Sequence, residues 1–406
     1  MVTRDKALNY LVVVLLFVIT IKTSISFLVA FFILLLWILG GNFKEKFHTI
    51  MHDKLSQTFL ALFFIHLLGM LWTESYVEGA KILSKQKIYL FAPLLISFVD
   101  KRFAKYALWS FLAAMFLSEW YSLYLYLRDE IHTIGSLPSP FMHHMHYSLI
   151  LAFTFGYLIN EIEFKQFTKP INLFYLFFAL LTLVVLFINK GRIGQVSILL
   201  VLFILAIGKF RLSFFKSILT VTMLSGIIFF SAYNLSDNFK DRLERANNEF
   251  TNFVGTDKRD SIVCRFEMWH YASTLGKQNP LIGIGTGDSM QEMTSLLGEH
   301  EFKKLYYECG LGMKYQFNPH NNFVLYFMQF GLLGLVLLIV VLLLQFKIAY
   351  AQKSLSMILL LAVTFMGMMT ASPITMHIGY MFFYAFVLTI LYVDSIDKNP
   401  NLTSSP

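Results

Sequence analysis

Twelve apolar blocks, most of them long enough to cross a bilayer as a helix, leave this chain few ways to fold. They run over 7–21, 24–40, 56–72, 80–99, 104–127, 142–159, 171–188, 193–209, 213–232, 319–344, 354–371 and 375–393. Crossing the hydrocarbon core takes about 20 helical residues. Backbone polar groups cannot stay unpaired there, so the blocks are expected to be helices rather than open strands. The pattern predicts an all-α polytopic membrane protein with about twelve transmembrane helices. The first two blocks are short and separated by Lys22, which suits a tight hairpin. The first runs into the second without a small-residue cleavage pattern and reads as a retained helix, not a cleaved signal peptide. Charge supply agrees: 14% of residues are charged and 57% hydrophobic, whereas soluble domains carry roughly a quarter charged residues.

The formal charge of +8 does not imply nucleic acid, because no basic face alternates with aromatics on a soluble module. The cations fall in short clusters between apolar blocks, as topology signals do. With the N-terminus inside, one set of connections carries Arg4 and Lys6; Lys44, Lys46 and Lys54; Lys101, Arg102 and Lys105; Lys165 and Lys169; Lys209, Arg211 and Lys216; and Lys347 and Lys353. Short connections on the other side hold few, chiefly Lys22, Arg128, Lys190 and Arg192. Both termini are therefore expected in the cytoplasm. The expected organisation is a bundle of about nine helices over 1–232, an outside loop domain over 233–318, a bundle of about three helices over 319–393, and a short polar cytoplasmic tail over 394–406.

The loop differs from everything around it. It opens with a charged stretch of helical spacing, Asn234 to Glu249, continues through Arg265, Glu267 and Trp269, and reaches a glycine-rich turn from Asn279 to Asp288. An amphipathic segment around 290–302 follows, and the chain re-enters the membrane at Asn318-Pro319-His320. Both cysteines, Cys264 and Cys309, lie in this loop. An oxidising compartment permits them to pair; two free thiols are the other reading.

Ionisable residues beside a span and facing inward are functional candidates by default. The turn Asn189-Lys190-Gly191-Arg192 places a basic pair on the outside face, against the positive-inside trend. Arginine offers a planar fork that matches phosphate oxygens, and a snorkelling anchor is the alternative. Arg265 precedes the glycine-rich turn, where glycines let backbone N–H groups approach an anion; a salt bridge within the loop is its bland reading. The turn lacks the strand context and Lys-Ser/Thr ending of a nucleotide phosphate loop. His320 stands where the loop becomes a span. With a reference pKa near 6.5, it is suited to accept a proton from a hydroxyl at neutral pH; a structural capping role is the alternative. Lys81 and Lys85 share a helix face, with Lys87 turned away, and form a second basic stripe near the outer end of the fourth block. His143, His144 and His146 invite a metal reading, but no Cys or carboxylate lies close in sequence. No metal site is expected.

Taken together, the Gly-Arg-Ile-Gly turn at 191–194, the Asn-Pro-Leu-Ile-Gly-Ile-Gly run at 279–285 and the loop-closing His-Asn-Asn-Phe at 320–323, followed by Gly331 and Gly334, resemble the O-antigen ligase family. That superfamily also holds O-antigen polymerases and protein O-oligosaccharyltransferases. The resemblance implies a membrane-embedded glycosyltransferase of GT-C-like architecture in a bacterial inner membrane, with its site on the periplasmic side. The implied donor is a glycan on undecaprenyl diphosphate and the implied acceptor the lipid A–core, with membrane lipids around the bundle. No cofactor and no metal are implied. By motif, Arg192 and Arg265 would hold the diphosphate and His320 would deprotonate the acceptor hydroxyl. Lys81, Lys85, Lys190 and Asn321 are the further candidates for binding diphosphate or glycan. A polymerase, a protein O-oligosaccharyltransferase and a polytopic transporter or flippase are the alternatives. A transporter should show broken helices in two corresponding halves and charges buried in mid-span, whereas these charges gather at one boundary.

Overall fold

The computed structural model describes residues 2–128, 139–236, 239–241, 243–244, 261–309 and 316–396. Half of the charged stretch from Asn234 to Glu249 and most of the tail lie outside the described residues. The described residues form helices and no strand. In chain order the helices are α1 (Val2–Val18), α2 (Thr23–Leu39), α3 (Phe43–His52), α4 (Lys54–Leu68), α5 (Tyr76–Gln86), α6 (Ile88–Ile96), α7 (Lys101–Leu127), α8 (His144–Glu161) and α9 (Pro170–Ile188). They continue with α10 (Arg192–Gly208), α11 (Phe214–Leu235), α12 (Ser261–Gln278), α13 (Ser289–Leu297), α14 (Glu299–Glu308), α15 (Asn322–Ala351), α16 (Leu355–Thr370), α17 (Pro373–Met376) and α18 (Ile378–Ser395).

Five stretches are long and apolar enough to cross a membrane, namely Lys54–Leu71, Pro170–Ile188, Phe214–Leu235, Asn322–Ala351 and Ile378–Ser395. Thr23–Leu39, Arg192–Gly208 and Leu355–Thr370 are shorter apolar helices. Two features separate this from a simple run of apolar blocks. The block over 80–99 is not one helix: it divides at Lys87 into α5, which carries the lysines, and the apolar α6. The long α7 holds Lys101, Arg102 and Lys105 at its start and a fully buried Glu119 in its body. Glu119 accepts a hydrogen bond from Thr182 at 2.9 Å, which meets part of the need a buried carboxyl has for a polar partner.

One apolar core runs through the bundle, centred on α18, where Phe382, Phe383, Tyr384 and Phe386 are all buried. Helices α8, α9, α10 and α16 pack against one another on one side, and α4, α6, α7 and α18 on the other. A smaller core joins α12, α13 and α14 to α15 through Met268, Leu275, Met293, Leu305, Leu325 and Met328. The loop residues therefore share a hydrophobic interior with the bundle. A disulfide between Cys264 and Cys309 ties the start of α12 to the end of α14. The amphipathic segment around 290–302 is two helices, α13 and α14, parted at Gly298.

Candidate active site

The glycine-rich turn is built into the bundle. Helix α15 is broken at Gly331, whose backbone sits at φ 58° and ψ −151°. A break strands helical hydrogen-bonding groups, and buried stranded groups must find partners. The turn supplies them. Ile284 N–H donates to Met328 O at 3.0 Å and Gly285 N–H to Gln329 O at 2.9 Å. In the other direction Leu332 N–H donates to Pro280 O at 2.8 Å and Leu333 N–H to Leu281 O at 3.1 Å. The two backbones touch: a Cβ on Gly283 would lie 2.4 Å from the Gln329 carbonyl carbon. Thr286 N–H donates to Thr73 Oγ1 at 2.8 Å, and its hydroxyl to His66 O at 2.7 Å. These amides are committed to the fold, so the expectation that the turn's N–H groups approach an anion is replaced by a splice between loop and helix. Beyond the turn, the Asp288 carboxylate accepts from Glu74 N–H at 3.0 Å and Ser75 N–H at 2.7 Å, fixing the start of α5.

That splice and the short segment before α15 deliver His320. Asn318 Oδ1 accepts from His320 N–H at 2.9 Å, and Trp269 Nε1–H donates to Pro319 O at 2.7 Å. His320 adopts a left-handed φ of 52°. Its Nδ1 is buried and makes no hydrogen bond among the described residues. Burial first, then the positive charge of Arg265 and the neighbouring His143, lower the His320 pKa to about 4. The imidazole is therefore neutral at pH 7, with a lone pair to offer.

The candidates distribute as follows. Arg265, on the first turns of α12, is within electrostatic reach of His320. Lys85, half-buried on α5, is within electrostatic reach of His377. Arg192 opens α10, where Gly191 N–H donates to Asn189 Oδ1 at 2.7 Å and Gly194 N–H to Ser148 Oγ at 3.2 Å. A Cβ on Gly191 would lie 2.6 Å from His144 O, so this turn is seated directly on the first turn of α8. Lys190 is half-buried in the same turn. Lys81 is exposed and pairs with Glu78 at 3.6 Å. Asn321 caps α15: its Oδ1 accepts from Phe323 N–H at 2.9 Å and its amide donates to Met369 O at 3.1 Å. Among the described residues no group of three His, Cys, Asp or Glu side chains could hold a metal ion.

Sequence reasoning did not single out His377, which precedes α18 and lies ring to ring with His146 at 3.8 Å between centroids. Its signal was available, since it stands at the boundary of an apolar block just as His320 does. Burial, followed by repulsion from His143, His320 and Lys85, lowers its pKa to about 3.

An all-helical bundle with several membrane-length apolar helices has the character of a multi-pass membrane protein, and His320 and Arg265 come within electrostatic reach of one another beside it. Residues 177–339 match the family model described as O-antigen ligase, and in this segment the chain is similar to members of that family. The segment takes in Arg192, Arg265 and His320 and leaves out His143, His146 and His377. Family members are glycosyltransferase-like enzymes. No curated protein matches the chain.

Proposed function

We propose that the chain is an O-antigen ligase. It passes a glycan from undecaprenyl diphosphate to the lipid A–core on the periplasmic face of a bacterial inner membrane, without a metal. The observation that carries this reading is His320: neutral, mostly buried, with an unengaged Nδ1, and held beside Arg265 inside the segment that matches the family. The acceptor hydroxyl oxygen bonds to the anomeric carbon as the bond from that carbon to the diphosphate oxygen breaks. The electron pair leaves with the diphosphate, and His320 takes the hydroxyl proton. Arg192 and Arg265 stabilise the charge that develops on the leaving group, a task for preorganised cations in a site of low dielectric. Lys85, Lys190 and Lys81 extend the positive field along the same boundary, and Asn321 fixes the backbone beside the base. An apolar cleft of about 550 Å³ between α4 and α15, lined by residues such as Phe64, Leu68 and Leu333, suits part of a prenyl tail.

In this reading the chain crosses the membrane about twelve times with both termini in the cytoplasm, in a GT-C-like arrangement. Residues 233–318 lie in the periplasm, where oxidation maintains the disulfide joining Cys264 and Cys309. A deletion strain tests the assignment. Polymer that accumulates on the carrier and is missing from the lipid core is the expected phenotype; lipid cores capped with single repeats would assign a polymerase instead. In the purified enzyme, His320→Ala should abolish transfer at unchanged abundance, and normal transfer by that variant would remove His320 from the mechanism.

A further inference from the structure

We propose that His146 and His377 form a hydrogen-bonding subsite for ring hydroxyls of the sugar that the donor transfers. This rests on the ligase reading above and adds the part of the substrate that the arginines and His320 do not address. The two rings lie 3.8 Å apart between centroids, and Tyr380 stands 5.8 Å from His146. His146 is 4% exposed, yet neither of its ring nitrogens has a hydrogen bond among the described residues. His377 Nε2 is likewise buried and unengaged. Buried polar atoms left this way are rare and destabilising, and call for a partner absent from the fold itself. By contrast His66, also buried, has Nδ1 within 2.9 Å of Leu62 O.

Position and chemistry narrow what that partner is. His146 lies in the first turn of α8, on which Gly191 and Gly194, the glycines flanking Arg192, are seated. His377 caps α18 and feels both His320 and Lys85. The pair therefore lies near the turn that carries the arginine proposed to hold the diphosphate and within electrostatic reach of the histidine proposed to deprotonate the acceptor. The sugar being transferred must bridge those two groups, because its anomeric carbon is bonded to one substrate and attacked by the other. A neutral imidazole presents one N–H donor and one acceptor nitrogen, the complement of a hydroxyl. Two such rings offer both functions side by side. Two histidines alone do not make a metal site, and no larger donor group surrounds them among the described residues.

The test uses the full-length chain in liposomes, with a synthetic polyprenyl-diphosphate hexose as probe and a set of analogues each lacking one ring hydroxyl. His146→Phe and His377→Phe should raise the KM for the complete hexose donor about tenfold or more, the loss of roughly one hydrogen bond to a buried group. With one deoxy donor the same substitutions should cost nothing further, since the contact is already missing. His377→Gln, which keeps a donor and an acceptor, should stay within about threefold of the wild type. Unchanged KM in both Phe variants would overturn the proposal, as would an equal loss with every deoxy donor, which marks a structural role. Failure of the Gln variant together with a displaced pH–rate profile would also overturn it, in favour of proton transfer. Donor affinity measured without acceptor separates this from the ligase reading. A His320→Ala enzyme that still transfers would sink that reading, while the Phe variants' effect on donor affinity would remain to be scored.

Discussion

Replacing Gly331 with alanine is the sharpest probe of the splice that builds the site. At φ 58° and ψ −151° Gly331 occupies a region that is nearly exclusive to glycine, and a side chain there costs about 1–3 kcal/mol in backbone strain. The new Cβ would also lie 2.5 Å from the Leu281 carbonyl carbon and 2.6 Å from Ile282 N. Neither is the end of a flexible side chain, so the turn itself must retreat. Retreat stretches the bonds from Leu332 N–H to Pro280 O and from Leu333 N–H to Leu281 O. Each contributes about 0.5–1.5 kcal/mol. The expected destabilisation is on the order of 3–5 kcal/mol. The control is the same substitution at Gly226, which lies within α11 with open space where a Cβ would go. There alanine should stabilise by about 0.5–1 kcal/mol. Thermal denaturation in detergent, followed by tryptophan fluorescence, reads the difference, and a transfer assay on the folded fraction reads the site. If Gly331→Ala melts with Gly226→Ala and transfers normally, the splice does not hold the loop and the reasoning fails.

Four further outcomes follow from the geometry. Because burial and Arg265 keep the pKa of His320 near 4, its neutral form persists as pH falls below the ordinary histidine value of about 6.5; kcat/KM should hold through pH 6 and decline toward about 4. Protonation is opposed in the folded state alone, so His320 makes stability fall as pH drops through the window from about 6.5 to about 4. Arg265→Ala should move the acidic limb of the rate profile upward, though not to 6.5, since burial is the larger cause; Arg265→Lys should keep the limb and still lose transfer, because lysine lacks the bidentate fork. Cys264→Ser should lower the melting temperature, with a ceiling of roughly 4 kcal/mol for a loop of this length, and the reductant sensitivity of the wild type should vanish in the variant. Asp288→Ala removes the acceptor of Glu74 N–H and Ser75 N–H and should cost about 2–3 kcal/mol, together with weaker donor binding as α5 and Lys85 shift; unchanged melting would show that the start of α5 is held by other contacts.

Helix type and position were legible because a long apolar block leaves the backbone one way to satisfy itself. Each of the apolar blocks coincides with helix in the fold. What escaped was geometry that depends on partners distant in sequence. The division of 80–99 at Lys87 has a local sign only in the lysines Lys81, Lys85 and Lys87, and the docking of the start of α5 by Asp288, far along the chain, has none. The run from Asn279 to Gly285 carries the composition of an anion cradle, and only the break at Gly331 shows where its amides go. Glycine announces permissiveness, not the identity of what comes close. His320 could be found because it sits at a boundary where charge is costly and because its motif is familiar. His377 sits at an equivalent boundary without a motif, and His146 was visible only as one of a cluster, since the contact between them joins residues more than 200 positions apart.

The same long-range logic explains how the proposed base, His320, is held on so irregular a piece of chain. A left-handed histidine is uncommon, and its strain persists only where the surroundings over-determine it. Three elements do so here. Asn318 accepts from the His320 amide, Ser289 at the head of α13 accepts from Phe317 N–H at 3.1 Å, and Trp269 of α12 donates to Pro319 O. Trp269 lies four residues beyond Arg265, which puts both side chains on one face of α12. The contact that fixes the backbone next to His320 therefore also fixes the register of Arg265 on α12. Cys264, adjacent to Arg265, is bonded to Cys309. Motion of α12 away from α15 would thus carry Arg265, Trp269 and the disulfide together and release His320 from its conformation. The arginine and the proposed base are coupled through one helix, and it follows that substitutions at Trp269 should disturb the pKa of His320 and the proposed binding of the diphosphate in concert.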